Sequence, residues 1–181
     1  MDTSVLLGGG AAGAIIGLVT TFMTQFFAGR HQTREFDRAD RVRREERQVE
    51  EERARDEQKR ADYIALNTAS RDFLTALTDL LHAVERTESR QEEREALERA
   101  RGVHRSRYAE AQLRVPDAVL ETASSVNRRL MSLFGMVKRL DNGRAHDGDT
   151  FETAQPRIQE IWGLLSKLRR EMRIDLGVTE R

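Results

Sequence analysis

Asp79 and His82 stand one helical turn apart in TDLLHAV, a spacing that can offer a carboxylate and an imidazole to a single metal ion. A carboxylate di-metal bundle also needs several inward-facing glutamates and a second pair of this kind. The positions around Asp79 are apolar, so no metal site is expected there. His104 and Tyr108 lie four residues apart and share a helical face, where an imidazole beside a phenol reads as packing or a partly solvated edge. The loop from Asp141 to Glu152 has an acid at both ends of twelve residues, the length of a calcium loop. Its third, fifth and sixth positions are Gly143, Ala145 and His146, where that loop needs two oxygen-bearing side chains and a glycine, so calcium is not expected either.

The rest of the inventory is equally sparse. There are four His and no Cys, no Gly-rich loop to cradle phosphate, and no Ser/His/Asp or Cys/His grouping. The chain therefore reads as a non-enzyme with no catalytic, cofactor-binding or metal-ligating residue. Basic residues gather at Arg99, Arg101, Arg105 and Arg107 and again at Arg128, Arg129, Lys138 and Arg139, but acids are interspersed and the net charge is zero, so no nucleic acid is expected as a partner. The absence of Cys removes disulfides and thiolate chemistry, which fits a reducing compartment. Only three of the 31 basic residues are Lys, a skew associated with high-G+C bacterial genomes.

The elements that position these residues form an all-α chain with a hydrophobic beginning. The tract SVLLGGGAAGAIIGLVTTFMTQFFAGR opens at Ser4, and Thr3 to Gly29 is uncharged for 27 residues in a chain that is 34% charged. A helix needs roughly 20 apolar residues to cross a hydrocarbon core. Eleven Val, Leu, Ile, Phe or Met side chains outweigh one Gln and three Thr, which favours a single-pass transmembrane anchor over residues 1–29. A cleaved signal peptide would need a positive leading region, whereas the ionisable side chain ahead of the tract is Asp2. Six arginines follow the tract, Arg30, Arg34, Arg38, Arg41, Arg43 and Arg44, and a Lys/Arg excess beside a span marks the cytoplasmic side. The expected placement is the inner (cell) membrane, N-terminus outside and C-terminal domain cytoplasmic, with the arginines against anionic headgroups of the bilayer.

Gly9, Gly13 and Gly17 recur every fourth residue, and Thr20 and Thr24 continue the stripe. Small-xxx-small faces let helices approach closely in lipid, so a homo-oligomer formed through the span is expected. Residues 30–61 contain neither Pro nor Gly and carry opposite charges one turn apart, such as Asp37 with Arg41 and Glu51 with Arg55, which predicts a charged helical spacer. At about 1.5 Å per residue such a helix reaches nearly 50 Å. Val42 and Val49, seven apart, begin a faint apolar seam that strengthens from Tyr63 through Ser70 and Leu77 to Val84.

Four apolar faces then predict an antiparallel helical bundle over 62–177, with helices near 62–87, 92–115, 116–141 and 150–175 and a short tail at 178–181. The clearest face steps by four and three through Val119, Ala123, Val126, Leu130, Leu133, Val137 and Leu140. Pro116 ends the preceding helix and suits the first turn of the next, Asn142 with Gly143 stops it, and Asp149 with Glu152 is expected to cap the last helix. One span joined to a long charged helix is similar in layout to the stator b subunits of rotary ATP synthases. Those continue as one extended helix, while Pro116 and the loop after Leu140 break this one, so no membership follows. The functional expectation is a membrane-anchored interaction or scaffold module presenting its bundle to a cytoplasmic protein partner. The alternative is a membrane-active, pore- or lesion-forming effector controlled by that bundle.

Overall fold

The computed structural model describes the backbone of residues 10–86 and 89–178 and the side chains of residues 41–86 and 89–178. Four helices follow one another: α1 (Gly10–Arg86), α2 (Gln91–Arg114), α3 (Asp117–Asp141) and α4 (Phe151–Asp175). No strand occurs among the described residues. The chain divides into two compact units, Met1–Arg53 and Ala54–Arg181. Among the described residues no helix is long and apolar enough to cross a membrane, and the side chains of the Thr3–Gly29 tract lie outside those residues.

In the first unit, every side chain from 41 to 53 is exposed, including Val42 and Val49. From Arg30 to Arg86 α1 has neither Pro nor Gly, so nothing in the backbone chemistry interrupts it.

The second unit is a bundle whose directions follow from who meets whom. Tyr63, early in this part of α1, reaches Asp175 at the end of α4, while His82, late in α1, packs its ring 5.2 Å from that of Phe151 at the start of α4. Arg94 at the start of α2 meets Asp141 at the end of α3, and Tyr108 further on meets Ser124. Arg129 of α3 bridges to Glu160 of α4. Each successive helix therefore runs opposite to the last, in an up-down-up-down arrangement.

Helix α3 buries its predicted face: Val119, Ala123, Val126, Leu130, Leu133 and Val137 are all 2% exposed or less, and Leu140 is partly buried against the same core. Phe73, Leu77 and Leu80 of α1 and Ile158, Ile161, Leu165 and Leu168 of α4 complete that core. Burying one such side chain stabilises by about 1.5–3 kcal/mol. Helix α2 contributes far less. Its buried residues are Leu97, His104 and Ala111, a stripe one residue wide at steps of seven.

The connections have local causes. Val115 is extended (ψ 150°), as the residue before a proline must be, and ends α2. Pro116 is itself extended and stands just outside α3 as its N-cap, one position earlier than the first-turn placement expected; its carbonyl accepts from Val119 and Leu120. Helix α3 closes with Gly143 at φ +65°, which lets the amide of Arg144 reach the Arg139 carbonyl at 2.9 Å. Gly177 at φ +68° closes α4 the same way, with Val178 donating to Arg173.

At the start of α4 the expected cap is corrected. Thr150 is the N-cap, exchanging hydrogen bonds with Thr153 in a reciprocal box. Asp149 cannot serve because Arg139 and the amide of His146 already hold its carboxylate. Glu152 keeps a first-turn role: hydrogen bonds from its own amide and the Thr150 hydroxyl hold its carboxyl below the usual range.

Candidate functional site

Of the residues expected to mediate association in the membrane, Gly9, Gly13, Gly17, Thr20 and Thr24 lie outside the described side chains, as do Arg30, Arg34 and Arg38. Arg41, Arg43 and Arg44 are described and exposed, like every other side chain from 41 to 53.

Within the bundle, Asp79 and His82 do come together, and α2 adds Glu92 and Glu93 to them. With Arg86, Ala76 and Ala96 they line a cleft of about 380 Å³ between the end of α1 and the start of α2. His82 is 3.7 Å from Glu85, one turn along. Among the described residues no group of three or more His, Cys, Asp or Glu is arranged to hold a metal ion.

The second expected pair, His104 and Tyr108, is stacked, with ring centroids 6.2 Å apart and planes 18° from parallel. Neither side chain hydrogen-bonds the other. Tyr108 pairs its hydroxyl with Ser124 at 3.0 Å. His104, 1% exposed, places Nδ1 3.3 Å from Ser70 Oγ of α1 and Nε2 3.1 Å from Asn127 Oδ1 of α3, while Phe73 lies 5.4 Å from its ring. Burial pulls the imidazole below its ordinary pKa, and the Asn127 hydrogen bond opposes that only in part.

A serine, a histidine and an amide in a line invite comparison with a nucleophile, its base and an orienting group. The Ser70 hydroxyl donates instead to the Leu66 carbonyl at 2.8 Å, and Ser70 is itself 1% exposed. What the layer does chemically is tie α1, α2 and α3 together at one height. Asn127 Oδ1 can only accept, so in the neutral ring Nε2–H donates to it and Nδ1 is the acceptor facing Ser70 Oγ. Protonation adds an Nδ1–H, which Ser70 Oγ accepts while its own proton goes to Leu66.

Toward the ends of the bundle the carboxylates of Asp141, Asp149 and Asp175 each meet a cation, whereas Glu93 Oε2 is buried without a hydrogen-bond partner. Arg94 makes a two-pronged contact with Asp141, 2.8 Å on each arm, and Arg90 adds a longer one; the Asp141 side chain is fully buried. Arg139 grips Asp149 in the same way at 2.6 and 3.0 Å, which with the His146 amide holds that carboxyl down at about 2. At the opposite end Asp175 receives the Tyr63 hydroxyl and Lys59 ammonium, both at 2.5 Å, and Arg114 reaches Asp62 across α1 and α2. Those donors keep the Asp175 carboxyl low although burial acts to raise it, and burial and the carboxylate together push the Tyr63 phenol up.

Sequence reasoning missed these pairs. The usable signal was an acid on an otherwise apolar stripe, Asp141 one residue past Leu140, which a helical-wheel reading takes for a solvated helix end. No protein-family model, no curated protein and no solved structure matches this chain.

Proposed function

We propose that the chain is a single-pass, membrane-anchored helical interaction module. Residues 1–29 anchor and self-associate, the charged part of α1 follows on the arginine-rich side, and the bundle offers a docking surface to a cytoplasmic protein partner. One observation carries the reading: 27 consecutive uncharged residues, with six arginines crowded behind them, in a chain one-third charged. The bundle adds support, since its core is closed on itself while Ile64, Val103 and Leu113 remain exposed at 61%, 53% and 88%.

Carbonate washing of membranes from cells expressing the full chain tests the anchor. Retention in the pellet is the expected result, and release into the wash overturns it. Gly13→Ile with Gly17→Ile is expected to leave the chain in the membrane and abolish span-mediated crosslinking; unchanged crosslinking removes the glycine stripe from the account. Dye release from vesicles carrying the full chain separates this reading from a pore-forming effector. Tight vesicles at high protein density are expected, and leakage transfers the lead to the effector.

A further inference from the structure

Helix α2 is held by the narrowest stripe in the bundle, Leu97, His104 and Ala111, and its central member is the one that titrates. We infer that the Ser70–His104–Asn127 layer is an acid-sensitive latch that closes α2 against α1 and α3 at neutral pH and releases it when His104 takes up a proton.

The argument begins with what surrounds the ring. From α1 come Ser70 and Phe73, neither of them charged; the nearest charged residues in that sequence, Arg71 and Asp72, are exposed, and Arg71 is spent over the Trp162 ring. From α3 comes Asn127, with the exposed Arg128 and Arg129 beside it directed to Ser125 and Glu160. On α2 the titratable neighbours are the stacked Tyr108 and, one turn earlier, Arg101, whose guanidinium lies 4.4 Å from the Phe134 centroid and pairs with Glu98. Among the described residues no carboxylate hydrogen-bonds or ion-pairs with the imidazole. Protonation would thus leave both N–H groups with acceptors, Ser70 Oγ and Asn127 Oδ1, and the charge with no counter-charge.

Relief comes from exposing the ring to water, and the opening that does so moves α2, the helix with the fewest buried residues, withdrawing Leu97, His104 and Ala111 together with the partly buried Ala100 and Tyr108. The imidazole is already pulled below its free value, so the open form binds the proton more tightly than the closed one. Stability of the latch is complete above the open-form value of about 6.5 and is lost as pH falls toward the closed-form value.

Hydrogen exchange of the full chain in detergent micelles, followed over 91–114 between pH 7.5 and 5 and corrected for intrinsic rates, reads the opening directly. Opening of α2 is expected to rise up to about tenfold per pH unit below 6.5, the limit for one proton. His104→Gln should remove that one-proton dependence, leaving only what the other titrating groups contribute. Asn127→Asp keeps the histidine and gives it a counter-charge, so opening should become flat or fall as pH drops. The inference is overturned if α2 opening in the native chain ignores pH over this range. It is overturned equally if the dependence survives in His104→Gln, or, should that variant not fold, if Asn127→Asp shows the native slope.

Discussion

The middle of the bundle and its ends both withdraw polar groups from water and handle them in opposite ways. At mid-height Ser70, His104 and Asn127 meet one another with no charged partner, whereas near the ends Asp141, Asp149 and Asp175 each meet a cation, Arg94, Arg139 and Lys59. The consequence shows in protonation. The uncompensated imidazole is driven toward its neutral form, and the compensated carboxyls Asp149 and Asp175 toward their charged forms. Burial alone therefore does not set the state of a buried group; the partner does.

The strongest way to break the contrast is to put a lone charge where no partner exists. Leu130, fully buried on α3 one turn beyond Asn127, becomes such a site in Leu130→Asp. The uncompensated carboxylate is expected to exceed the whole stability of the bundle, about 5–15 kcal/mol for a domain, and to abolish cooperative melting by near-ultraviolet circular dichroism. Retention in membranes should survive. A cooperative, native-like melt would show that the core tolerates charge, and the contrast would dissolve.

Asp141→Ala tests the ends. Loss of a buried, charge-assisted contact should cost about 1–3 kcal/mol in urea denaturation, with Asp141→Asn intermediate. Equal stability of Asp141→Asn and the native chain would mean that the charge at this end is dispensable. A smaller effect comes from acid. Asp149 sits at about 2 when folded, so its contribution is whole above the unfolded carboxyl value near 4 and is lost as pH falls from there toward 2. The latch at His104 begins to lose stability at higher pH, below about 6.5, so Arg139→Met should weaken the loss below about pH 4, which Asp175 and Glu152 share, and leave the onset near 6.5 unchanged. The smallest effect belongs to the exposed Arg129–Glu160 pair. Arg129→Ala is expected to move stability by less than about 1 kcal/mol, and a larger loss would place this surface bridge beside the buried ones.

Much of the helical architecture is legible in the sequence. The α3 stripe from Val119 to Leu140 and the stops at Val115–Pro116 and Asn142–Gly143 are written in residue types whose effects act within a turn or two. The cap of α4 was misassigned by one residue, because Asp and Thr are both good caps and only the position of Arg139, ten residues earlier in the chain, removes Asp149 from the competition. For the candidate site, sequence placed His104 with Tyr108 and Asp79 with His82 on shared faces, and left open what those faces would meet.

Periodicity, proline and glycine determined by themselves that the described chain is helical, roughly where α2, α3 and α4 end and which stripe turns inward, because backbone geometry couples residues only three to five apart. Tertiary structure alone decided that Ser70 meets His104, Arg94 meets Asp141 and Tyr63 meets Asp175, partners 34, 47 and 112 residues apart. Such pairings depend on which helix lies beside which and at what height, and a buried polar group is stabilised only when that placement supplies its partner.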